Sequence, residues 1–139
     1  MSPKLEETLA KVPLFARLKP RELERLAKRM SERRWSEGDV VITEGKGGIG
    51  FWVIEDGNAT VSVRGKSVGS LGPGDHFGEI ALLDDGPRSA TVTAATDLRC
   101  QGIVAWEFGP FVQENPEVAW PMLQTLATRV RDAEARGQA

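Results

Sequence analysis

The chain has 139 residues, 18 basic against 20 acidic side chains, one Cys, one His and no Tyr. At about 150 residues per domain it reads as one domain, and a chain of this size buries roughly 70% of its unfolded surface without help from a disulfide or metal. A lone Cys and a lone His cannot furnish a four-ligand zinc site, a nucleophile–His pair would have to use His76, and a net charge of −2 offers no bulk attraction to nucleic acid.

The chain opens Met1-Ser2-Pro3-Lys4-Leu5-Glu6-Glu7, with no apolar signal region. No apolar run reaches the roughly 18 residues a membrane span needs. Leu5, Leu9 and Val12 recur at helix spacing, and Leu14-Phe15 form an apolar elbow. Leu23, Leu26, Ala27 and Met30 then make one apolar stripe, with Pro20 suited to a first helical turn and Lys19 a weak cap. Eight basic residues between Arg17 and Arg34 face three Glu. They read first as a solvated helix face, with docking to an acidic partner as the alternative.

From Trp35 the period changes to two. Val40 and Ile42, then Phe51 to Ile54, then Ala59, Val61 and Val63, then Ser89 to Thr96 and Leu98 to Val104, predict short strands. Twelve of the 15 glycines lie between Gly38 and Gly86, mostly in turn sequences such as Asp56-Gly57-Asn58 and Gly72-Pro73-Gly74-Asp75. Such spacing indicates a sandwich or barrel. Helix returns from Trp106 to Gln113. Asn115-Pro116 then reads as a cap and first-turn Pro, followed by an apolar stripe of Ala119, Leu123, Leu126, Ala127 and Val130. Pro121 should bend or loosen that helix, and the tail from Asp132 should fray. Trp35 and Trp52 read as core or rim, and Trp106 and Trp120 lie in or near the closing helices, with lid or partner contact as an alternative role.

The segment Leu71 to Ala94 reads LGPGDHFGEIALLDDGPRSATVTA. A tight turn leads to Phe77-Gly78-Glu79, Ile80 to Leu83 can make one helical turn, and Arg88-Ser89-Ala90 opens a strand. A helix start presents unpartnered N–H groups, Gly78 lets a ligand approach the backbone, and Arg88 adds a planar donor fork for phosphate oxygens. Glu79 would repel a phosphate unless a hydroxyl donor meets it. Arg, amides and one Glu therefore suit a sugar phosphate better than free phosphate.

The ordered set Phe77, Gly78, Glu79, Ile80, Ala81, Leu82, then Pro87, Arg88, Ser89, Ala90 resembles the phosphate-binding cassette of the cyclic nucleotide-binding domain family. The resemblance extends over the whole chain. It implies a mainly β fold with helices at both ends. The helices would cover 1–34, an antiparallel jelly-roll β-barrel 35–105 with the cassette at 77–90, and further helices 106–139. It implies that Glu79 accepts from the ribose 2′-hydroxyl and that Arg88 pairs with the exocyclic phosphate oxygens. Backbone amides of Gly78, Glu79, Ile80, Ala81 and Ala90 would complete the cradle. Val61 and Leu71 match positions packed on the purine, and Arg129 one that reaches the base in some relatives. Ser89 stands where cyclic-GMP-selective relatives carry Thr. The implied ligand is thus cyclic AMP, with cyclic GMP open because Ser can still donate. No cofactor and no metal are implied. Gln101 and Gly102 stand where the family has apolar strand residues.

The implied function is a non-catalytic regulatory domain, cytoplasmic in keeping with the lone Cys100. It would pass its ligand state by apolar contact from Leu82-Leu83 to the helices carrying Phe111 and Leu123. The effector is left open, a homodimer through the helices is compatible, and no nucleic acid is bound by this domain alone. The rivals are a same-fold interaction domain that binds no nucleotide, in which Glu79 and Arg88 form an internal ion pair, an enzyme, and the sensor half of a transcription factor. His76 reads as a polar residue flanking the site, and Cys100 as a small strand residue rather than a redox sensor.

Overall fold

Alternating and short apolar runs become strand between Ser31 and Val104 in a computed structural model that describes residues 3–46, 50–84 and 86–137. Gly47, Gly48, Ile49 and Asp85 lie outside the described residues. Residues up to Arg29 and from Gly109 onward form one compact unit, and Met30–Phe108 form another.

Among the described residues, the second unit holds eight strands: β1 (Ser31–Trp35), β2 (Val40–Ile42), β3 (Gly50–Asp56), β4 (Ala59–Val63), β5 (Lys66–Leu71), β6 (His76–Phe77), β7 (Thr91–Ala94) and β8 (Leu98–Val104). They form two four-stranded sheets ordered β1-β8-β3-β6 and β2-β7-β4-β5, antiparallel throughout. That order is a jelly roll, as two sheets rather than a closed ring. Its core gathers Trp52, Ile54, Ala59, Val92, Ala94, Leu98 and Cys100. Each fully buried large side chain contributes about 1.5–3 kcal/mol.

β1 corrects the expected boundary at residue 35, since strand begins at Ser31. Its sequence, SERRW, has four exposed residues and one half-buried Trp, so no apolar alternation announces it. Pairing with β8, from Ser31 opposite Gly102 to Trp35 opposite Leu98, extends it instead. Gly102 has a packing reason. It sits opposite Trp52, whose ring occupies the space a Cβ would need. Trp35 meets Trp52 edge-on at 5.4 Å, and the Arg33 guanidinium lies 5.7 and 5.6 Å from their ring centres. Gln101 is polar because its amide donates to Glu55 at 3.3 Å, beside the 2.7 Å pair of Arg99 with Glu55.

The helical elements are α1 (Pro3–Leu9), α2 (Pro20–Arg29), α3 (Ala105–Glu114) and α4 (Ala119–Ala135). The weak start at Lys19 is repaired by Glu22, a buried carboxylate whose Oε1 accepts from the Lys19 N–H at 2.8 Å. Asn115 does not cap the turn after it. Its Nδ2 donates back to the Phe111 carbonyl at 3.0 Å and its Oδ1 accepts from Arg25 at 3.2 Å. Pro121 is accommodated at the third position of α4, where an N–H would have lacked a helical partner. The Pro deep inside a helix is Pro110 in α3.

The stripe expected on α4 is rotated. Leu123 and Val130 are 55% and 57% exposed, while Val118, Met122 and Thr125 are buried. Thr125 behaves as an apolar residue because its hydroxyl donates to the Pro121 carbonyl at 3.1 Å. The helix also continues to Ala135, past the expected fraying point. Among the described residues no helix is long and apolar enough to cross a membrane.

Candidate functional site

The two-residue strand β6 pairs with β3, Phe77 opposite Trp52 and His76 opposite Val53, and so delivers Gly78 beside the start of β3. Gly78 has φ of +91°, and a Cβ there would collide with the Gly50 carbonyl and come 2.9 Å from Arg88 Nη1. Glycine is required twice, by backbone angle and by proximity. The chain then makes a 3-10 turn, Glu79–Leu82, in place of a full α-turn. The Ala81 N–H donates to the Gly78 carbonyl at 3.1 Å, so this amide, expected in the cradle, is already engaged. The loop beyond is closed by Asp84, whose Oδ1 accepts from the Gly86 N–H at 2.9 Å.

Arg88 is held from several directions. Its backbone N–H donates to the Lys46 carbonyl at 2.8 Å, and its carbonyl accepts from Gly45 at 2.9 Å. Its Nη2 donates to the Gly50 carbonyl at 2.8 Å. Its Nε is enclosed and has no hydrogen-bond partner. Burial pushes the guanidinium below its ordinary pKa, and the nearby Glu79 carboxylate opposes that shift. Arg88 is therefore a partly desolvated cation with a donor to spare, the condition an anion relieves.

Gly78, Glu79, Ile80, Ala81, Arg88 and Ser89 line one cavity of about 290 Å³. Pro87 of the cassette motif also lines it, as do Asp84 and Gly86, which were not expected there from the sequence. Gly50, whose carbonyl aims Arg88, was missed as well, although it closes a conspicuous glycine run. Ala90 is half-buried and outside this lining. Val61 and Leu71 are half-buried against the β core, Val61 opposite Val92 and Gly69, Leu71 opposite Ala59. Arg129 is an exposed residue of α4, in the other compact unit. Cys100 is fully buried, and burial pushes its thiol up to about 12, which keeps it protonated and unreactive.

The family described as cyclic nucleotide-binding domain matches residues 32–115. A cAMP-dependent protein kinase regulatory subunit of Yarrowia lipolytica is 44% identical over 93 residues, covering 66% of this chain and 25% of that protein. The chain thus spans about a quarter of that relative's length. The N-terminal domain of a transcriptional regulator from Streptomyces coelicolor superimposes with a TM-score of 0.81 at 31% identity, covering 91% of this chain and 94% of that one. The catabolite activator protein of Thermus thermophilus gives 0.68 at 28% identity, over 89% of this chain and 61% of that one.

Proposed function

The chain belongs to the cyclic nucleotide-binding domain family, and from that premise we propose that it is a non-catalytic sensor of cyclic AMP that passes its ligand state to its helices. The observation that carries this reading is Arg88, partly desolvated, with an enclosed Nε lacking an acceptor, on the wall of a cavity that Glu79 shares. A cyclic phosphate monoanion in that cavity offsets the burial of the guanidinium charge. The amides of Glu79 and Ile80, ahead of the engaged Ala81 N–H, add donors. Glu79 is an acceptor beside an anion site, and a ribose 2′-hydroxyl is the donor that makes its presence favourable.

Val61 and Leu71 would pack on the purine and Arg129 would reach the base. Ala90 would contribute its amide. Ser89 lines the cavity and is exposed, and with Ser rather than Thr the site favours adenine over guanine. Ordering of the cassette around the phosphate is the event the helices would read, and it follows only if the nucleotide binds the two arrangements with different affinity. The kinase regulatory subunits among the similar proteins support a regulatory output.

Titration calorimetry with cyclic AMP and cyclic GMP in parallel tests the reading, with cyclic AMP expected to bind more tightly. No heat and no thermal shift with either nucleotide at millimolar concentration would favour an interaction domain that binds no nucleotide. Recovery of intact nucleotide after long incubation separates the sensor from an enzyme.

A further inference from the structure

His76, the chain's one histidine, stands directly behind the carboxylate read as the ribose contact. It is fixed on β6 by pairing with Val53, and the Phe51 ring lies 6.0 Å from its own, tilted by 49°. Its side chain is 26% exposed and that of Glu79 16%. Nδ1 lies 3.3 Å from Glu79 Oε2, yet this enclosed nitrogen makes no aligned hydrogen bond. His76 does not line the cavity, whereas Glu79 does. The contact engages Oε2 of the carboxylate, and Glu79 itself lines the cavity.

An acidic side chain beside a phosphate site needs such a hold. Repulsion from the bound anion favours rotation of the carboxylate away from the sugar, and a donor on its far oxygen resists that rotation. Contacts of this kind are often long in a free site and tighten when ligand arrives. We propose that His76 is a positioning residue for ribose recognition: its Nδ1–H grips Glu79 Oε2 and turns Oε1 toward the 2′-hydroxyl. The assignment requires the tautomer protonated on Nδ1. It rests on the reading of the site as a cyclic nucleotide pocket, and it makes residue 76 a determinant of selectivity for ribose over deoxyribose.

The test compares affinities of the full chain for cyclic AMP and 2′-deoxy cyclic AMP. The parent should prefer the ribose form. His76→Phe should shrink that preference about fivefold, the scale of one net hydrogen bond. His76→Asn, whose amide nitrogen can take the place of Nδ1, should keep the preference within about twofold of the parent. A purely structural role would weaken both ligands alike and leave their ratio unchanged. The proposal is overturned if the Phe variant keeps the parent ratio, or if Asn loses as much as Phe. Should His76→Phe not fold, His76→Leu reads the same ratio. A parent that binds neither nucleotide overturns the pocket reading itself, an outcome distinct from binding with an unaltered ratio.

Discussion

Among the described residues, two cavities of nearly equal size in the β unit differ in how their charges are spent. One, about 300 Å³, is lined by Arg34, Trp35, Ser36, Asp39, Asp56, Asp97, Leu98 and Arg99. There Asp39 accepts from the Ser36 N–H at 2.8 Å, Asp97 from the Glu37 N–H at 2.9 Å, and both arginines have carboxylate partners at 2.7 Å. The hydrogen bond to Glu32 holds Arg34 above its ordinary pKa. The other cavity, about 290 Å³, contains Arg88, which burial moves the opposite way and whose Nε is left without an acceptor. Volume does not tell them apart. Unspent hydrogen-bonding capacity on a desolvated cation does, because only there does a ligand satisfy a group the fold has left wanting.

Arg88→Ala should break the contrast most strongly. Loss of cyclic AMP binding on the order of 2–5 kcal/mol is expected by calorimetry, since the phosphate would lose its paired charge. A variant that binds as tightly as the parent would refute the phosphate role. Gly78→Ala sharpens the comparison next. An added methyl at φ of +91° meets the Gly50 carbonyl and the Arg88 guanidinium. We expect a stability loss of about 1–3 kcal/mol in denaturant melts, together with weaker binding. Arg99→Ala, in the cavity whose charges are paired, should cost only about 0.5 kcal/mol and leave nucleotide affinity unchanged. A drop in affinity there would mean that the ligand uses the wrong cavity.

The candidate site was readable in the sequence to the extent that one short segment carries it. Gly78, Glu79, Arg88 and Ser89 lie within a dozen residues, and their chemistry points to an anion with a hydroxyl beside it. The grip on Arg88 was not readable, because the carbonyls of Gly50 and Lys46 belong to a distant segment and any residue type supplies a carbonyl. Strands such as β4 and β8 were visible through their alternation, whereas β1 is drawn into the sheet by its neighbour and shows no pattern of its own. Gly102 stands where an apolar strand residue is expected, because the Trp52 ring from the neighbouring strand fills the space a Cβ would take. On α4 the apolar residues misled, since the buried face includes a threonine that satisfies its own hydroxyl.

The jelly-roll order has a kinetic consequence. Among the described residues, only β4 and β5 form a tight hairpin, closed by Arg64 and Gly65 with φ of +53° and +80°, angles suited to a two-residue reversal. The other pairings join distant stretches, as Ser31 opposite Gly102 and Val40 opposite Thr93 illustrate. Loop closure must precede most of the gain, so the chain should fold in the millisecond-to-second regime of high contact order. The β4–β5 hairpin is, among the described residues, the local piece of this sheet system able to form before strands such as β1 and β8 meet.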